Sequence, residues 1–247
     1  MNTLAGKMQG IFEGEILVNG LHCKDIDFRA HMGYVTQDDC LLEQATVGEI
    51  LLVDANLRSP KDMSAELNTR VKNSAADLGI GHVLNTQVGG FWKKGISGGE
   101  RKRVSIAVEL IKNPALLLLD EPTSGLDSFS ARQVVNYVKK NATNHGTAII
   151  AFIHQPRLSV FQTFDKILVL PKGRTVYFGS PNDVVQYLTE LDFLCPPFES
   201  AADHIIDVAS IDTRTRKLEQ ISETRNDHPA DVWTQLNINT ALKVHLT

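Results

Sequence analysis

Between residues 114 and 128 the chain reads P-A-L-L-L-L-D-E-P-T-S-G-L-D-S, and no other stretch limits its fold as tightly. Residues 115–119 are apolar without interruption, and two carboxylates, Asp120 and Glu121, end the run just ahead of Pro122. A continuous apolar run of this length marks a strand buried on both faces, as in a parallel sheet covered by helices. Pro122 has no N–H for a ladder, so the strand ends by that point and leaves both acids at its carboxyl end. Open α/β sheets bind their ligands at that end. Strand residues alternate in direction, so the adjacent acids are expected to point to opposite faces and to serve different roles. A second apolar run, 148–153, predicts another buried strand and closes on His154.

Around these runs the pattern predicts alternating strands and helices. Residues 1–10 read as the tail of a helix ending at Gly10, and 14–20 as a short strand entering an Asn-Gly turn. A strand over 31–35 leads into Gln37. Val47, Ile50, Leu51 and Ala55 recur at helical spacing over 46–57 with Thr46 as cap, and a further helix covers 63–78. The string I-S-G-G-E-R-K-R at 96–103 sets a glycine turn at the start of a helix that runs to about 111. Unpaired N–H groups at such a helix start favour an anion, and the Ser97 hydroxyl is expected to add a donor. Further on, 130–144 reads as a helix, 166–170 and 175–178 as a hairpin through Pro171 and Gly173, and 181–191 as a helix. From residue 211 the composition turns polar, as in a linker, with Val232, Trp233 and Leu236 able to form one face of a short helix.

A length of 247 residues with 43% hydrophobic content suits one globular α/β unit. The formal net charge of -4 argues against a nucleic-acid partner. Arg101, Lys102 and Arg103 read as the solvated face of a helix. Cys23, Cys40 and Cys195 are odd in number and far apart, which suggests neither a disulfide framework nor a zinc site and fits a reducing, cytosolic setting. No stretch reaches the length needed to cross a bilayer, and residues 1–10 lack a signal-peptide core.

Taken together, the strings resemble the nucleotide-binding domain of an ATP-binding-cassette (ABC) transporter of the G subfamily, the white/pleiotropic-drug-resistance type. Residues 116–120 match the Walker B strand and 124–127 the D-loop, while Ser97, Gly98, Gly99 and Glu100 match the signature motif. Gln37, in G-Y-V-T-Q-D-D, stands where the family has its Q-loop, and His154 where it has the switch histidine. The resemblance implies a P-loop NTPase-like parallel sheet spanning 1–210, with a helical subdomain at about 46–112. Residues 211–247 would lead toward a transmembrane domain outside this chain, and 193–210 resemble the G-subfamily segment that precedes it. The implied ligands are ATP and Mg²⁺. Glu121 and His154 would be catalytic, Asp120 and Gln37 would address the metal, and Ser97, Gly98, Gly99, Glu100, Ser124 and Asp127 would face the nucleotide. The implied partners are a second nucleotide-binding domain, met head to tail, and the transmembrane domain, which would hold the chain at the cytoplasmic side of a membrane. The implied function is ATP hydrolysis powering export of lipids or drug-like compounds. The alternative is a non-hydrolysing module that lends its signature motif to another cassette's ATP.

One expected string is not in the chain. A phosphate cradle of the form G-x-x-x-x-G-K-[ST] does not occur, and Gly6-Lys7 is followed by Met8 where a hydroxyl is required. By resemblance Met1 follows directly on that segment. The expectation is therefore a sheet lacking the strand that feeds the cradle, beside 148–153. Such a domain would be inactive by itself and hard to fold alone, since each unmet buried polar group costs about 1–3 kcal/mol.

Overall fold

The computed structural model describes residues 4–5, 14, 16–18, 20–22, 28–58, 64–90, 92–210, 224 and 226–231. The chain divides into two compact units, Met1–His154 with Lys243–Thr247, and Gln155–Leu242. The first opens with β1 (Leu17–Val18) and β2 (Leu21–His22), paired antiparallel with Val18 opposite Leu21. Gly20, at φ +83°, supplies the left-handed turn between them. A 3₁₀ turn, Phe28–His31, then leads into β3 (Met32–Val35).

Among the described residues three α-helices lie between β3 and the next strand: α1 (Val47–Arg58), α2 (Ser64–Asp77) and α3 (Gly98–Leu110), with a 3₁₀ turn Gly81–Val83 before the last. The chain then forms β4 (Leu116–Asp120), crosses over through α4 (Ser128–His145) and returns as β5 (Ala148–Phe152). These strands make one parallel sheet in the order β3-β4-β5, with Met32 opposite Leu116 and Leu116 opposite Ala148. Parallel neighbours require such crossovers, and the helices bring the apolar cover that the sheet needs.

β4 meets the sequence expectation: Leu116, Leu117, Leu118 and Leu119 are all buried. β5 does not. Its side chains are half-buried, and Phe152 is 42% exposed. Its sequence is as apolar as that of β4, yet among the described residues it has a strand neighbour on one side only. Burial of a strand depends on what lies beside it as well as on its own side chains.

The helical segment is fixed by local signals. Thr46 caps α1 reciprocally: its hydroxyl accepts from the Glu49 N–H at 3.3 Å, and its own N–H donates to the Glu49 carboxylate at 2.8 Å. Val47, Leu51 and Ala55 then turn a fully buried stripe toward Leu67 and Ala75 of α2 and Ile106 of α3. Each large side chain so buried contributes about 1.5–3 kcal/mol against remaining exposed.

The second unit has its own small core of Phe161, Tyr177, Val184, Leu188, Ala202, Ile205 and Val208. After a single helical turn, α5 (Leu158–Phe161), the antiparallel pair β6 (Ile167–Val169) and β7 (Tyr177–Gly179) forms the hairpin read from the sequence. α6 (Val184–Glu190) and α7 (Ala201–Ala209) pack on it. Arg174 forks to Asp227 and Asp231, which holds the short stretch 226–231 to this hairpin. The helix tail expected over 1–10, most of the polar stretch from 211, and the helix expected around Val232, Trp233 and Leu236 lie outside the described residues. Among the described residues no helix is long and apolar enough to cross a membrane.

Candidate functional site

The carboxyl end of β4 carries the two acids as the sequence predicts, but strand alternation does not set the direction of Glu121. Asp120 is the last strand residue, while Glu121 has already left the strand in a left-handed conformation, φ +45°. A non-glycine residue there costs about 1–3 kcal/mol and persists only where its surroundings impose it. Here its N–H donates to the Phe152 carbonyl at 2.9 Å, and its own carbonyl accepts from the Ser124 N–H at 3.1 Å. Register therefore bends the chain at Glu121, since Asp120 lies opposite Phe152 in the sheet.

Two residues that follow or belong to β3 reach these acids. The Gln37 amide nitrogen donates to Oε2 of Glu121 at 3.0 Å, which leaves the Gln37 oxygen for another partner. The phenol of Tyr34 donates to Oδ2 of Asp120 at 3.0 Å. The first contact joins two residues of the sequence reading, whereas nothing in the sequence had marked Tyr34. His154 is exposed two residues beyond β5, at the same end of the parallel sheet as the acids.

The signature string forms the start of α3. The Ser97 hydroxyl accepts from the Glu100 N–H at 3.3 Å and donates to the Glu100 carboxylate at 2.7 Å, and that carboxylate also takes the Ser97 N–H at 2.8 Å. The expected outward donor is thus directed at Glu100. Nε2 of His82 lies 2.8 Å from the other Glu100 oxygen. Burial pushes this carboxyl's pKa up, but the bonds from Ser97 and His82 outweigh it and hold the group below its ordinary value.

Gly98 is exposed and Gly99 buried, and both lie against the start of the next helix. A Cβ on Gly98 would sit 3.6 Å from Leu126, and one on Gly99 3.1 Å from Ser130. The signature turn and the 124–127 loop therefore pack together. Ser124 is exposed, and Asp127 caps α4 by accepting from the N–H groups of Phe129 and Ser130.

The basic run behind the turn corrects the expectation of a solvated face. Lys102 and Arg103 are buried, at 3% and 8% exposure. Burial of a cation requires acceptors, and each finds some, although the buried Nε of Arg103 has no hydrogen-bond partner. Lys102 reaches the Gln37 carbonyl at 2.8 Å and Asp39 at 2.9 Å. Arg103 donates to Gln133 at 3.0 Å and lies over the Tyr137 ring. Arg101 donates to the carbonyls of Val88 and Gly89.

The donor chemistry fits a magnesium ion that arrives with a nucleotide. Among the described residues no group of three or more His, Cys, Asp or Glu side chains could hold a metal on its own. Mg²⁺ does not need one, because it is held by one or two carboxylates when phosphates and water complete its shell. Asp120 and the Gln37 amide oxygen are hard oxygen donors of that kind.

A parallel sheet that presents adjacent acids at a strand end, with a Ser97-capped helix that opens on two glycines beside the following loop, is consistent with a cassette of the P-loop NTPase-like class. Comparison with known proteins agrees. The family described as ABC transporter matches residues 1–124, and the one described as ABC-2 type transporter matches 154–234. An uncharacterized ABC transporter ATP-binding protein/permease of Saccharomyces cerevisiae is 38% identical over 241 residues, 94% of this chain and 19% of the relative. ATP-binding cassette sub-family G member 8 of Rattus norvegicus is 40% identical over 215 residues, 87% of this chain and 30% of the relative. The broad substrate specificity ATP-binding cassette transporter ABCG2 of Bos taurus is 39% identical over 217 residues, 87% of this chain and 33% of the relative. The chain belongs to the ABC transporter family, and its likeness is to the G subfamily. It spans less than half the length of these curated relatives.

Proposed function

We propose that this chain binds and hydrolyses ATP as the cassette of a G-subfamily transporter, and that the hydrolysis powers export of lipids or drug-like compounds across a membrane. The observation that carries the reading is the Gln37–Glu121 hydrogen bond of 3.0 Å beside Asp120 at the carboxyl end of β4. In this reading Asp120 and the Gln37 oxygen address Mg²⁺, which when bound neutralises charge on the phosphates. Glu121 accepts the proton of the water that attacks the γ-phosphorus, while the bond to ADP breaks. Gln37 keeps the Glu121 carboxylate turned to that water, and His154 donates to the departing phosphate. The N–H groups at the start of α3, with Gly98 and Gly99 leaving room for close approach, address the γ-phosphate held by a second cassette met head to tail. Ser97 joins them once its hydroxyl turns away from Glu100, and Ser124 and Asp127 border the same face. A transmembrane domain is the remaining partner, and it would hold the chain at the membrane.

The test is Glu121→Gln in the chain fused behind the phosphate-cradling segment of a G-subfamily relative. ATP binding is expected to persist and turnover to fall by about 100-fold or more, since the amide keeps the shape without the basicity. Turnover near the unsubstituted rate removes Glu121 from the role of base.

A second reading is favoured by a different observation: the signature turn is complete in itself, its cap and both glycines all supplied by this chain. In that reading the chain hydrolyses nothing and lends 97–100 to another cassette's ATP. Titrating a full-length relative with the chain, or with its Gly98→Asp variant, separates the two. A change in the relative's ATPase rate that Gly98→Asp abolishes supports the lending role, and equal effects of both proteins reject it.

A further inference from the structure

Lys102 is a cation almost without solvent, its side chain 4% exposed, in the second turn of α3. Such a residue is rarely buried unless paired, and pairing has to offset several kcal/mol of lost hydration. Both of its acceptors belong to one short loop: the Gln37 carbonyl at 2.8 Å and Oδ1 of Asp39 at 2.9 Å. Ser105, one helical turn further along the same face of α3, donates to that Asp39 oxygen at 2.9 Å. Loop 37–39 is thus clasped from α3 at two successive turns. The Gln37 side chain points the linkage onward, to Glu121 at 3.0 Å.

We propose that Lys102 is a positioning residue: its buried ammonium fixes loop 37–39 to the signature helix, so that Ser97, Gly98 and Gly99 at the head of α3 and the Glu121 carboxylate move as one body. A helix is stiff over the four residues from Gly98 to Lys102, about 6 Å, so a displacement of the signature turn reaches Lys102 with little loss. From there it passes to the Gln37 backbone and through the amide to Glu121. The ammonium bonds the Gln37 carbonyl and leaves its side chain free for Glu121. The chemical meaning of this linkage rests on the reading of Glu121 as the base, whereas the clasp itself does not.

Cys40 is exposed directly beside Asp39 and provides the probe. The full chain, with Cys23→Ser and Cys195→Ser, takes a nitroxide spin label at Cys40. Its line shape is read together with amide hydrogen exchange over 37–39. Lys102→Met is expected to free the label and to speed exchange over 37–39 by about tenfold or more, with exchange in β4 unchanged. Lys102→Arg, which keeps the charge and its donors, is expected to restore the immobile line shape. Asp39→Asn removes the ion pair with no change in the helix core. It is expected to mobilise the label in part, and it gives the answer should Lys102→Met not fold. Gln37→Ala is expected to leave the label immobile, because the clasp holds the loop by its backbone. The proposal is overturned if Lys102→Met, or Asp39→Asn in its place, leaves both line shape and exchange at the unsubstituted values, or if exchange rises equally in β4. The two readings fail separately: normal hydrolysis by Glu121→Gln overturns the base and leaves the label result standing, and an unchanged label overturns the clasp whatever Glu121 does.

Discussion

Tyr34 and Asp120 are joined across neighbouring parallel strands, the phenol donating to Oδ2 of the carboxylate at 3.0 Å. Tyr34 lies opposite Leu118, so Asp120 stands two residues further along on the same face, within diagonal reach of an aromatic side chain. Burial, then the bond and the charge of Asp120, raise the Tyr34 pKa above its ordinary value, so the phenol stays a donor.

Tyr34→Phe is therefore expected to lower the unfolding free energy by about 1.5–3 kcal/mol at neutral pH, the range for a hydrogen bond to a charged group. Denaturant unfolding of Tyr34→Phe, Asp120→Asn and the double variant measures it. A coupling of about 1 kcal/mol is expected between the two positions, and strict additivity would show that the bond contributes nothing.

The two signature glycines are expected to differ in what they tolerate. Gly98→Ala places its Cβ 3.6 Å from Leu126, an ordinary contact, so stability should stay within about 0.5 kcal/mol. Gly99→Ala brings its Cβ to 3.1 Å from Ser130, tighter than an ordinary contact, and should be less stable than Gly98→Ala. Thermal unfolding of both variants decides, and equal melting temperatures would contradict the packing of the turn against α4.

Glu100 gives the signature helix an acid limit. Its ordinary pKa is 4.5, and the folded carboxyl lies below that. The native state then holds fewer protons than the unfolded one near this pH. The stabilisation is complete above about pH 4.5 and is lost as pH falls through the lowered folded value. Glu100→Gln should flatten this part of the profile while costing stability at neutral pH, because the charged acceptor for Ser97 is gone. Unfolding free energies between pH 7 and 3 test it, and parallel profiles for both proteins would remove Glu100 from the acid limb.

Some elements were legible because their cause is local. The run at 115–119 is apolar whatever surrounds it, and Pro122 ends a strand in any context. Thr46, read as a cap, stands where α1 begins, and the glycine turn read at 97–99 opens α3. Other features depended on residues far away in the chain. Arg101, Lys102 and Arg103 read as one solvated run, because consecutive helix residues point in different directions and the acceptors come from 37–39, 88–89 and 133. Tyr34 gave no signal at all, since its partner is 86 residues distant.

The sequence by itself determined the buried run that forms β4, the acids at its end and the glycine turn at the head of α3, each carried by periodicity and backbone restrictions that act within a few residues. The family is carried by the resemblance of whole motif strings. Only the tertiary structure decided that Glu121 leaves its strand left-handed, that Tyr34 reaches Asp120, and that a lysine from a basic run is buried against the glutamine loop. Those outcomes depend on which strand lies alongside and which acceptor lies within hydrogen-bond reach. Strand register and helix packing set both, across separations of tens of residues.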